Sequence, residues 1–141
     1  MQMQTHNPQA TSPKVLFMPS LHNEAVELLH EAQDYFSEFG AEDQEHLEPH
    51  IRSIYNYEMS RITLRLSCIM AWLLAQRSTA RDNIKTNNHL ANNRLDFQDV
   101  CMVDSSLLHG VLPSYVCYLL DASYELYERA LRLDGQKGIL H

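Results

Sequence analysis

Apolar residues recur every three or four positions through three long stretches of this chain. From Leu21, the positions Ala25, Leu28, Leu29, Ala32, Phe36 and Phe39 line up on one face, the spacing of an amphipathic helix. Glu24, Glu27, Glu31, Asp34 and Glu38 repeat on another face. This pattern predicts a first helix from about Leu21 to Phe39, closed by Gly40 as the left-handed residue after the last turn. A second helix opens at Pro49, a residue suited to the first helical position, and runs to about Ala80. A third starts near Pro113 and ends near Leu133, with Val116, Leu119, Leu120, Ser123, Leu126, Tyr127, Ala130 and Leu133 turned inward.

Few runs alternate apolar with polar, so the predicted class is all-α, an antiparallel three-helix bundle. Its parts are a flexible N-terminal arm over 1–19, the bundle over 20–134 and a short tail over 135–141. Within the arm, the stretch around Phe17 is expected to pack on the bundle. An irregular connection, 78–110, carries five asparagines between Asn83 and Asn93, a residue that competes with the helical backbone. A short helical piece near Leu90–Phe97 is expected inside it.

The second helix has more apolar surface than one bundle covers. Ile51, Tyr55, Ile62, Leu66, Ile69 and Leu73 form one stripe, and Tyr57, Leu64, Cys68, Ala71 and Ala75 form a second. A helix apolar nearly all round is buried on all sides or crosses a membrane. The longest apolar run, LSCIMAWLLA, falls well short of the ~20 residues a span needs, so membrane insertion is not expected. A homodimer, two-fold symmetric and joined through the second stripe, is the predicted cover.

A third stripe holds Glu58, Arg61, Arg65, Trp72 and Gln76. Two readings stand. The charges form partly buried pairs that fix the register of bundle or dimer, or Arg and Trp anchor a partner protein.

Charge narrows the partners. The net charge is -7, and no Lys or Arg occurs from Val15 to Ile51. Such a surface repels nucleic acid, whose affinity comes from Lys and Arg on phosphates, and anionic membranes. It suits a basic protein partner, with Glu24, Glu27, Glu31, Asp34 and Glu38 as the acidic face; a solvated stripe is the plainer alternative. The third helix carries Arg129 and Arg132 against Asp121, Glu125 and Glu128, unlike a basic recognition helix. Three widely spaced cysteines (Cys68, Cys101, Cys117) form no CxxC pair, so no disulfide framework or zinc knuckle is suggested. The polar N-terminus lacks the basic start and apolar stretch of a signal peptide, and a cytoplasmic location is expected.

His46 and His50 stand four apart, but Pro49 falls between them where a helix starts. They are weak metal candidates, and no cofactor is expected. With no nucleophile elbow, glycine-rich phosphate loop or DxD cluster, the chain reads as a non-enzyme. The alternatives are a small-ligand or metal-binding bundle and, further off, a DNA-associated regulator.

The segment YEMSRITLRLSCIMAWLLAQR resembles the signature of the alphaproteobacterial family named for the regulator of CtrA degradation, RcdA. Glu58, Arg61, Thr63, Arg65, Leu66, Trp72, Leu73, Leu74, Gln76 and Arg77 fall on its pattern without a gap. LYERALRLD, at the end of the third helix, is similar to the family's closing motif. The resemblance spans most of residues 20–134. It implies a dimerising three-helix bundle that acts as a non-enzymatic adaptor. Its implied partners are the ClpXP protease and co-adaptors, which degrade cell-cycle regulators at the cell pole.

Overall fold

The structure, a computed structural model, describes residues 13–81, 95 and 97–139. Helix α1 spans Pro13–Glu45, α2 Pro49–Arg81, α3 Gln98–Cys101 and α4 Ser114–Ile139, with a 3₁₀ turn at Ser106–Leu108 between α3 and α4. The protein is all-helical; among the described residues the only extended pairing is an isolated bridge between His109 and Leu112. Each of the three long helices packs against the other two.

The apolar phases read from the sequence become the core. Leu21, Ala25, Leu28 and Ala32 of α1 meet Tyr55, Ile62, Leu66, Ile69 and Leu73 of α2. From α4 come Val116, Leu119, Leu120, Leu126, Tyr127, Ala130 and Leu133. Removing these side chains from water is the main drive for association, at ~25 cal/mol per Å² of apolar surface.

Three differences from the sequence reading concern α1 and α4. First, α1 begins at Pro13, so residues 13–19, assigned to a flexible arm, lie in its first turns. Second, Gly40 does not stop α1; it sits buried inside the helix. A glycine there costs up to ~1 kcal/mol, offset by the polar contacts of the helix's last turn. Asp43 accepts hydrogen bonds from the hydroxyls of Tyr35 (2.6 Å) and Tyr55 (2.9 Å), and Arg52 Nε donates to the carbonyls of Gln44 and Leu47. A Cβ on Gly40 would meet the Phe36 ring at 3.1 Å. Third, α4 continues to Ile139, through most of the expected tail.

Phe36 and Phe39 were expected on the inner face, yet both are exposed. Tyr35 takes the position toward α4, its ring 4.6 Å from that of Tyr115. Between α2 and α4, Leu95 is buried, and Phe97 enters α3 with left-handed backbone (φ 63°). Most of the helical piece expected near Leu90–Phe97 lies outside the described residues.

Candidate functional site

Glu58, Arg65 and Trp72 are seven residues apart and so share one side of α2. The segment after Phe97 lies across that side. Arg65 is completely buried. Its Nε donates to the carbonyl of Cys101 (2.8 Å), Nη2 to that of Val103 (3.0 Å), and Nη1 to Leu120 O and Ser123 Oγ (both 3.0 Å). The guanidinium also lies 5.3 Å from the centre of the Tyr124 ring. Burial, then the like charge of Arg61, lowers the Arg65 pKa, but a guanidinium starts so high that it stays protonated. A rigid fork of donors thus ties α2, α3 and α4 to one point.

The rest of the stripe extends this attachment. Glu58 accepts a hydrogen bond from Ser105 Oγ (3.2 Å) and pairs with Arg61 (3.3 Å). Arg61 Nε has no hydrogen-bond partner, while its guanidinium lies 4.9 Å from the Tyr57 ring centre. Further along, Trp72 Nε1 donates to Asp134 Oδ1 and the Leu95 amide to Asp134 Oδ2 (both 3.3 Å). Gln76 is buried at the end of the stripe.

The two readings of this stripe now separate. Glu58, Arg61, Arg65, Trp72 and Gln76 are at most 6% exposed within the chain, which favours buried pairs over a partner-binding surface. The physical reason is complementarity. Carbonyl oxygens of the connection and α4 converge on Arg65, and a buried cation is tolerated where acceptors replace its water. Sequence reasoning missed Ser105, Ser123 and Asp134 as members of this cluster. Two of them carried some signal in the sequence, Ser123 by its inward phase on the third helix and Asp134 inside the closing LRLD motif.

Beside this stripe on α2, the predicted dimer residues are partly open. Tyr57 is 55% exposed, Ala71 is exposed, and Leu64, Cys68 and Ala75 are half-buried. Leu74, between them, is 62% exposed.

The acidic residues of α1 divide. Glu24 takes a two-pronged bond from Arg129 of α4 (2.9 and 2.8 Å), which lowers its pKa below the ordinary carboxylate value. Glu31 accepts a hydrogen bond from the Tyr115 hydroxyl, whose pKa that bond pushes up to about 12. Glu27, Asp34 and Glu38 are exposed.

His46 bonds through Nδ1 to the carbonyl of Glu42 (2.9 Å), and His50 is exposed in the first turn of α2. No group of three or more His, Cys, Asp or Glu among the described residues is placed to hold a metal. Cys101 and Cys117 are buried, and burial raises both thiol pKa values, which keeps them unreactive. Among the described residues no helix is long and apolar enough to cross a membrane.

These features define a small helical protein with a charge-stapled interior and open apolar and acidic faces. The chain belongs to DUF1465, a family described as a protein of unknown function, whose model matches residues 9–138. No curated protein and no solved structure matches it.

Proposed function

We propose that this protein is a non-enzymatic adaptor, an antiparallel three-helix bundle that dimerises through α2 and presents cell-cycle regulators to a ClpXP-type protease. The observation that carries this reading is the open apolar side of α2, with Tyr57 55% and Leu74 62% exposed beside half-buried Leu64, Cys68 and Ala75. A contiguous apolar side of this kind marks a protein–protein contact, and a second copy is its natural cover. The likeness of the α2 motif to the RcdA signature supplies the protease, its co-adaptors and the pole of a cytoplasmic compartment as the setting. With Cys101 and Cys117 buried and the apolar stripe of α2 partly open, a role in binding suits the chain better than one in chemistry.

The test is reconstitution. Adding the purified protein to ClpXP, co-adaptors and a cell-cycle regulator should accelerate loss of the regulator. Light scattering on a size-exclusion column should give twice the chain mass. Degradation at the same rate with and without the protein would refute the adaptor role, and a monomer at micromolar concentration would refute the dimer.

A further inference from the structure

Four aromatic rings climb across the junction of α1 and α4. Phe39 and Tyr35 have centroids 5.3 Å apart, Tyr35 and Tyr115 4.6 Å, and Tyr115 and Tyr118 5.3 Å. Phe39, Tyr115 and Tyr118 are each more than a third exposed. The ladder continues into a groove of about 690 Å³ floored by Leu112, Cys117 and Ala122 and edged by His109, Asp121 and Glu125. Acids surround the rings. Glu31 holds the Tyr115 hydroxyl, Glu38 and Glu42 lie three and seven residues beyond Tyr35 on α1, and Asp121 follows Tyr118 by one turn of α4.

Basic side chains are missing from the two stretches that build this face. Residues 15–51 and 95–128 contain no Lys or Arg. The groove edge carries His109, half-exposed and itself 3.2 Å from Asp121. A second copy of the same face would bring acid against acid, and nucleic acid is repelled for the same reason. Ring faces carry negative quadrupole density that attracts cations, guanidinium above all. Carboxylates beside the rings add a long-range pull on the same charge.

We propose that the Phe39–Tyr35–Tyr115–Tyr118 ladder and the groove beside it form the docking surface for an arginine-bearing, amphipathic basic segment of a partner protein. Guanidinium groups lie on the tyrosines between the flanking carboxylates, and one apolar side chain enters the groove over Leu112 and Ala122. This proposal rests on the reading of the chain as a protein-binding module and gives that module's partner a chemistry. The surface is separate from the open side of α2.

The test is a fluorescence-anisotropy titration of the full chain with three labelled peptide probes. One carries arginines and leucines on opposite sides of a helix, one has lysine for arginine, and one has glutamate for arginine. The arginine probe should bind most tightly, the lysine probe more weakly and the glutamate probe not at all, with affinity falling as salt rises. Tyr118→Ala, at an exposed position, should weaken the arginine probe on the order of fivefold. Glu38→Lys should weaken it by a similar factor at low salt only. Circular dichroism of both variants should match the parent.

Arginine-probe binding that neither substitution alters would overturn the proposal, as would equal binding of the glutamate probe. Tighter binding of a peptide of residues 81–94, which carries Arg81, Lys85 and Arg94, would reassign the surface to the chain's own connection. The adaptor reading fails separately, on the rate of regulator degradation, whatever the peptides do.

Discussion

Two stripes of α2 that flank each other meet different fates. The charged one, Glu58, Arg61, Arg65 and Gln76, is buried beside the apolar core stripe, while Tyr57 and Ala71 of the adjoining apolar stripe are exposed. Hydrophobicity alone would have buried the second apolar stripe before the charged one. What decides the buried side is the supply of acceptors. Three carbonyl oxygens and a serine hydroxyl surround the Arg65 fork, so the cation leaves water without losing its hydrogen bonds. What decides the open side is the absence of any further element of the chain, among the described residues, to lie on it. Burial measures partnership as much as polarity.

The largest expected effect comes from breaking the charged side. Arg65→Ala leaves the carbonyls of Cys101 and Val103 without their donor and opens a cavity, at a cost of roughly 3 kcal/mol or more. The urea midpoint should fall accordingly. Arg65→Lys should recover only part of the loss, because one ammonium cannot reach acceptors spread around a planar fork. Full recovery by lysine would mean that charge, and not the geometry of the fork, holds the connection.

Ala71→Glu probes the open side and should separate fold from assembly. The position is exposed within one chain, so the unfolding midpoint of the isolated chain should move by less than ~0.5 kcal/mol. If α2 is the dimer contact, two-fold symmetry places the new carboxylate in the interface twice. The dimer should then weaken on the order of 100-fold, read by light scattering across a dilution series. An undiminished dimer would move the contact to another face.

Trp72→Phe sharpens the boundary of the charged side. It removes the Nε1 bond to Asp134 and should cost about 1 kcal/mol, with faster hydrogen exchange at the Leu95 amide that shares this carboxylate. Unchanged exchange there would detach Asp134 from the cluster.

The smallest effect is expected at Glu24, on α1. Its pKa is lowered by the Arg129 bond, so its contribution is fully present above the ordinary value of 4.5 and is lost as pH falls through the lower folded value. Both side chains are about a third or more exposed, which limits the pair to under ~1 kcal/mol. Glu24→Gln should therefore lower stability slightly at pH 7 and match the parent once pH falls below the lowered folded value. A constant difference across that range would assign the effect to packing.

Much of this contrast was legible in the sequence. Three-and-four spacing located α2, α4 and most inner residues of the three long helices, but not the last turns of α1, where Phe36 and Phe39 are exposed. The same spacing picked out Tyr57, Leu64, Cys68, Ala71 and Ala75 as a second apolar stripe, of which Tyr57 and Ala71 are exposed and the others half-buried. The reach of α1 was not legible, because Gly40 is a strong local stop signal. What overrides it is tertiary, two tyrosine hydroxyls on Asp43, one of them from α2. Burial of the charged stripe was one of the two readings of the sequence, but the partners of that stripe were hidden for a deeper reason. Its main acceptors are backbone carbonyls, which every residue possesses, so no residue type in the connection announces them. Glu58 and Ser105, a side-chain pair 47 positions apart, had no periodicity to link them.

The carbonyl attachment of the connection also bears on how freely this protein can be rewritten. Arg65 reads the path of the backbone at Cys101 and Val103 and takes nothing from the Val103 side chain, which is exposed. The stretch around Val103 to Leu107 is therefore a place to graft foreign sequence. A substitution there leaves the anchor intact as long as the chain keeps its course and Ser105 keeps its hydroxyl. The side chains at those positions can change while one arginine goes on holding α2, α3 and α4 together.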